Sequence, residues 1–260
     1  MNYRACYILL GIACLLVSCG HELGSVPPPS YKNRAKVVTA VIAQATARVA
    51  PSNNSSNSSN SSQSINVKAE LWADNWFALY LNDQLIKEDS VPITTERSFD
   101  SETVTFPATY PMHFNVILKD YIQNDTGLEY IGTNRQQIGD GGFIGQFTDT
   151  ATGATIGVTN EWWKCTVIQT APLDNACAAE ANPIAGQGAC GFIALPEPTD
   201  WKSPTFDTSK WLAASLYSAD QVGPKEGYND ISWKPEAKFI WGPDLKTNNT
   251  VLCSVTVYKP

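Results

Sequence analysis

The sequence predicts an all-β protein, an antiparallel β-sandwich or jelly roll carried at the end of a disordered tether. Three observations predict it. Ile65, Val67, Ala69 and Leu71 alternate with Asn66, Lys68 and Glu70, the period-2 signature of a strand with one buried face. Such runs are short and are punctuated by turn signals, among them Asn124-Asp125-Thr126-Gly127, Gly139-Asp140-Gly141-Gly142, Thr152-Gly153 and Gly223-Pro224. No long segment of helical period lies between residues 65 and 260, which favours packed sheets over helices.

Residues 1–18, MNYRACYILLGIACLLVS, carry Arg4 and then an apolar run. The run is shorter than the roughly 20 apolar residues of a membrane span and has the proportions of a signal peptide. Leu16-Val17-Ser18-Cys19-Gly20 follows and resembles the lipobox of bacterial lipoproteins. The resemblance implies cleavage before Cys19, lipidation of Cys19 and, with Gly20 next, delivery to the outer membrane or cell surface. More than one acyl chain on a residue gives stable anchoring. A secretory signal cleaved after Ala13 is the alternative.

Residues 19–64 read as the tether. Pro27-Pro28-Pro29 stiffens its start, and Val38, Val41, Ile42, Ala45 and Val49 hold the spacing of a short, weak helix over 35–49. PSNNSSNSSNSSQS, 51–64, has no large apolar residue and cannot bury enough surface to offset its ordering entropy. It contains four Asn-x-Ser sequons, and Asn124 and Asn248 begin two Asn-x-Thr sequons.

Within 65–260, the stretch ADNWFALYLNDQLIKEDS sets Phe77, Leu79 and Leu81 on one face and Trp76, Ala78 and Tyr80 on the other. Asn82-Asp83 supplies a two-residue turn into a returning strand. Met112, Phe114, Val116 and Leu118 alternate with His113, Asn115, Ile117 and Lys119, and further strands are expected at 102–106, 127–132, 142–149, 154–158, 163–168, 191–195, 237–241 and 250–258. Of seven cysteines, Cys6 and Cys14 leave with the signal and Cys19 takes lipid. Cys165, Cys177, Cys190 and Cys253 remain, an even set in an oxidising compartment. Three connectivities are possible; Cys177–Cys190, closing a Pro- and Gly-containing loop, and Cys165–Cys253, pinning a middle strand to the last, are the expected pair. The spacings lack the C-x₂₋₄-C of a zinc site. Of eight tryptophans, Trp72, Trp162, Trp211 and Trp241 are expected in the core. Trp76, Trp163, Trp201 and Trp233 lie near turns, where an indole can stack on a sugar.

Two phrases carry a further resemblance. ADNWFALYLNDQLI resembles the hairpin of galactose-binding-like jelly rolls, with Asp83 where that family prefers Gly. DWKSPTFDTSKWLAA, 200–214, resembles a phrase of the sugar-binding modules attached to glycoside hydrolases. The resemblance implies a jelly roll over most of 65–258, a structural role for Phe206, Asp207 and Trp211, and often a structural calcium. Ligand contacts are expected at Asp74, Asn75 and Trp76, at positions that tolerate substitution structurally, with Arg97 and Arg135 as partners for the hydroxyls or carboxylates of an acidic glycan.

The net charge of −7, without a basic stripe, excludes nucleic acid and makes the lipid anchor the only membrane contact. Asp120, Asn124, Asp125 and Glu129 cluster within ten residues and Asp140 lies in a Gly-rich turn, oxygen donors suited to Ca²⁺. Catalytic patterns are missing, and Gly186-Gln187-Gly188-Ala189-Cys190-Gly191 matches a dinucleotide loop only in its letters, since no helix follows. The expected function is non-catalytic binding of carbohydrate at the cell surface. The alternatives are a structural envelope protein, a glycoside hydrolase, whose chemistry needs only two carboxylates, and a surface copper protein using His113 and a nearby modified Trp as ligands. The last rests on resemblance to the acidic copper-scavenging surface proteins of methane oxidisers.

Overall fold

A computed structural model describes residues 64–93 and 99–260. The expected signal peptide, the expected lipid site at Cys19, the expected helix over 35–49, the spacer up to residue 63 and Arg97 lie outside the described residues. The strands are, in chain order, β1 (Ile65–Asp74), β2 (Trp76–Leu81), β3 (Gln84–Glu88), β4 (Asp100–Ala108), β5 (Met112–Lys119), β6 (Leu128–Glu129), β7 (Gln137–Ile138), β8 (Gly142–Asp149), β9 (Thr155–Val158), β10 (Lys164–Thr170), β11 (Ile193–Ala194), β12 (Leu212–Ala213), β13 (Ser215–Tyr217), β14 (Phe239–Trp241) and β15 (Asn248–Val257).

They form the expected antiparallel sandwich. One sheet runs β13-β14-β8-β1-β4 with β9 on β8; the other runs β11-β10-β15-β5-β2-β3 with β12 on β10; β6 and β7 pair separately. The chain leaves the first sheet at Asp74 and enters the second at Trp76. Asn82, at φ +56°, makes the two-residue turn between Leu81 and Gln84, a conformation that Asn tolerates. The expected strand at 127–132 shrinks to two residues, because its backbone pairs only with the short β7.

Alternation assigns the faces. Val67, Ala69, Leu71, Phe77, Leu79, Phe114, Val116, Leu118 and Val251 point between the sheets, where Phe114 and Phe147 stack with centroids 4.3 Å apart. Leu81 is half-buried at the edge of this core rather than fully enclosed. Each sheet also has a covered outer face. Trp72, Ile144 and Phe239 on the first lie under Val222, Tyr228 and Trp233, while Ala78, Ile117 and Leu252 on the second lie under Trp201, Phe206 and Trp211. One outward amide pins each cover. Gln146 accepts from Lys234 N and donates to Ser232 O, and Asn115 donates to Lys202 O.

The covers redistribute the tryptophans. Trp163, expected near the surface, is 1 % exposed, and Trp162, expected in the core, is 73 % exposed. Trp201, also expected at a turn surface, is buried beneath its cover. At the start of β10 the phase is set by Trp163, whose indole donates to Val158 O and stacks toward Phe147.

Both disulfides pair as expected. Cys165–Cys253 joins directly opposed residues of β10 and β15, with Cα atoms 4.1 Å apart. Cys177–Cys190 closes the loop after β10 at 4.9 Å.

At the seam between β3 and β4, Lys87 pairs with Glu102 at 2.8 Å, Glu102 accepts from Ser90 N, and Asp89 is buried with Oδ2 unpartnered. Burial, opposed by the Val91 N–H and reinforced by the charges of Glu102 and Asp100, pushes the Asp89 carboxyl up to about 7. Its contribution to stability is therefore complete below the ordinary carboxylate range near ~3.9 and is lost as pH rises toward 7. Asp89→Asn, neutral throughout, is expected to match the parent near pH 4 and to exceed it above pH 7 by about 1 kcal/mol after solvent screening. Urea melts at the two pH values check this; an equal stability difference at both would refute it.

Candidate functional site

The chain enters the sandwich at Ile65, and β1 carries it through ten residues to Asp74, about 30 Å at strand rise. The end reached at Asp74 is also where β5 finishes at Lys119 and where β8 and β15 begin at Gly142 and Asn248. Register therefore gathers residues remote in sequence at this pole. Asp74, Asn75, Asp120 and Asn249 are all buried there. Asn75 N donates to Lys119 O at 3.1 Å, its side-chain oxygen accepts from Tyr121 N, and Asp120 N donates to Asn249 O at 2.9 Å. Gly139 closes over Asp120: a Cβ there would stand 2.4 Å from Asp120 Oδ2.

A cavity of about 180 Å³ opens at this pole, lined by Asp74, Asn75, Phe99, Glu129, Tyr130, Gln137, Asp140 and Lys225. Its outer wall is the β6–β7 hairpin, where Gln137 donates to Glu129 at 3.0 Å. Leu128 and Ile138 seat that hairpin on the Cys177–Cys190 disulfide, and Gln136 donates to the carbonyls of Ala178 and Glu180. Tyr130 is held at φ +52°, uncommon for an aromatic residue, and the Arg135 guanidinium lies 3.8 Å from its ring centroid. Lys225 stands 3.7 Å from Asp74 Oδ2 and 4.4 Å from the Phe99 centroid.

The electrostatics are lopsided. Burial, and then the charges of Asp140 and Glu129 against the relief of Lys225, hold the Asp74 carboxyl well above its usual range. Asp120 is raised in the same way, by burial first and then by Asp74, Glu129 and Asp140, against a long hydrogen bond of 3.4 Å from Asn249. Both Asp74 oxygens, Asp120 Oδ1 and Asn249 Oδ1 lack a hydrogen-bond partner.

Two sets of residues expected separately, Asp74 and Asn75 for ligand and Asp120, Glu129 and Asp140 for metal, thus meet at one pole. Asn124 and Asp125 do not line the cavity. Asn124 accepts from Thr126 within its own turn, and Asp125 accepts from Gln169. Trp76 is not at the cavity either; it packs under the second cover with Lys119 5.1 Å from its centroid. The expectation that Asp74 and Asn75 tolerate substitution structurally is corrected by their full burial. Lys225 and Asn249 escaped the sequence reading because their strand and loop neighbours lie more than a hundred residues away. His113, the proposed copper ligand, faces Thr256 Oγ1 at 2.9 Å across β5 and β15. Among the described residues no group of three His, Cys, Asp or Glu side chains is already gathered for a metal.

Two other concavities compare poorly. A broad one of about 790 Å³ lies over the second cover, where Glu197 is occupied by Trp201 and Lys202. A cleft of about 270 Å³ between Trp162 and Tyr258 is more apolar and lies near the end where the chain enters.

The fold and the site define a disulfide-bonded antiparallel β-sandwich with an acidic cavity at the pole opposite its point of entry. In comparisons with known proteins, the chain matches no family model, no curated protein and no solved structure.

Proposed function

We propose that the domain is a non-catalytic carbohydrate-binding module, held at the cell surface by a lipid on Cys19, and that the polar cavity receives a sugar. One observation carries the reading: Asp74, Glu129, Asp140 and Gln137, all bearing side-chain oxygen, line the same cavity as Phe99 and Tyr130. Acceptors that orient hydroxyl groups beside an aromatic surface are what a sugar needs. At about 180 Å³ the cavity is smaller than the ~300–1,000 Å³ of drug-sized ligand sites, so it suits one terminal residue rather than a length of chain. Three carboxylates against Lys225 oppose an acidic glycan, and the preferred ligand is a neutral or amino sugar. Arg135 stacks on Tyr130 and does not itself line the cavity.

The test is a glycan array probed with the parent, Glu129→Gln and Trp162→Ala. Glu129→Gln is expected to lose at least tenfold in binding to neutral terminal sugars while Trp162→Ala retains it. Loss in Trp162→Ala alone would move the site to the cleft, and no binding by the folded parent would end the carbohydrate reading.

A further inference from the structure

We infer that the floor of the polar cavity is a calcium site, formed by the carboxylates of Asp74, Asp120 and Asp140 with the Asn249 side-chain oxygen beneath and Glu129 at the rim. The site lies under the cavity assigned to sugar, and it stands whether or not a sugar binds there.

Charge balance is the first argument. Asp74, Asp120, Glu129 and Asp140 act on one another electrostatically, and the cation that acts on Asp74 is Lys225, 3.7 Å away with a half-exposed side chain. A buried carboxylate without compensating charge costs several kcal/mol, and among the described residues Lys225 is the cation paired with Asp74 while none is paired with Asp120. Direction is the second argument. Both Asp74 oxygens, Asp120 Oδ1 and Asn249 Oδ1 are buried without hydrogen-bond partners, while Asp74 lines the cavity. Buried native polar atoms are normally satisfied, and one metal ion placed among these four oxygens would satisfy them together.

Donor chemistry selects the ion. The group offers oxygen without imidazole or thiolate, which suits a hard cation over zinc or copper. Donors fixed by three different strands and two loops form an irregular shell, which Ca²⁺ with 6–8 oxygens tolerates and Mg²⁺, needing near-ideal octahedral geometry, does not. In this structure Asp140 lies against Asp74, and among the described residues no third carboxylate has closed with them into a ready metal group. Asp140 is the adjustable member, half-exposed between Gly139 and Gly141. Gly139 itself cannot carry a side chain without striking the Asp120 carboxylate.

The test uses the purified full chain without sugar, stripped with a chelator and then titrated with Ca²⁺ through the ~10⁻⁴–10⁻³ M range of extracellular modules. Expected are one Ca²⁺ per chain by calorimetry and a rise in Tm that Mg²⁺ does not reproduce. The rise should be larger at pH 8 than at pH 5, because Ca²⁺ and protons compete for Asp74 and Asp120. Asp140→Asn, at the half-exposed position, should keep the parent near-ultraviolet circular dichroism and weaken Ca²⁺ at least tenfold. A folded parent that neither takes up Ca²⁺ nor shifts in Tm at either pH would overturn the inference and leave protons as the balancing charge. Unchanged Ca²⁺ affinity in Asp140→Asn would equally overturn the assigned ligands. Glycan binding that persists in chelator would leave the sugar reading intact while this one is judged on calorimetry alone.

Discussion

Replacing Cys165 and Cys253 together by alanine is expected to lower unfolding stability by about 4–5 kcal/mol, and replacing Cys177 and Cys190 by about 3 kcal/mol. The difference follows from the closed loops, which span 88 and 13 residues, because a longer loop removes more entropy from the unfolded chain. The first bridge ties β10 to β15 at opposed positions inside a ladder already held by hydrogen bonds, so its loss changes the unfolded ensemble more than the native one. The second bridge underlies Leu128 and Ile138 and hence the wall bearing Glu129 and Tyr130. Its removal should cost less stability and more ligand affinity. Denaturant melts of both variants, with thiol titration of the denatured unreduced parent to confirm the absence of free thiol from 65–260, give the comparison. A Cys177/Cys190 variant as unstable as the other would contradict it.

The second large effect separates neighbours. Trp163→Ala is expected to cost about 3–5 kcal/mol, since the indole is buried, donates to Val158 O and meets Phe147. Trp162→Ala should fall within about 0.5 kcal/mol of the parent, its ring being largely in solvent. Chemical denaturation of the two variants side by side settles the assignment, and equal costs would show that the strand phase at β10 is wrong.

That pair also shows where the sequence was legible. Strict alternation placed β1, β2 and β5 and their inward faces, and the even number of cysteines within 65–260 pointed to two bridges. Adjacent tryptophans at a strand start carry no alternation of their own, so only the contact with Phe147 fixes which one turns inward. The second source of error was the outer faces. A half-buried sheet is expected to show polar residues outward, yet both sheets are covered, and nothing in Gln146 or Asn115 announces a pinning role. The site was half legible. Asp74 and Asn75 stood out at a hairpin, and Asp120, Glu129 and Asp140 in acid-rich turns. Their union depends on the pairing of β1 with β8 and of β5 with β15, and register between distant strands is not written in local pattern.

The two covers have a consequence for how the molecule opens. Each consists mainly of turns and loop, holds to its sheet through side-chain packing and a few amide bonds, and shares little of the ladder. Segments of that kind open at lower free energy than paired strands. Amide protons of residues around 200–211 and 226–238 should therefore exchange well before those of β1, β5 and β15. Because Trp201, Trp211 and Trp233 sit in the covers and Trp72 lies beneath one, tryptophan emission should begin to change at a denaturant concentration where the far-ultraviolet signal of the sheets is still that of the folded protein.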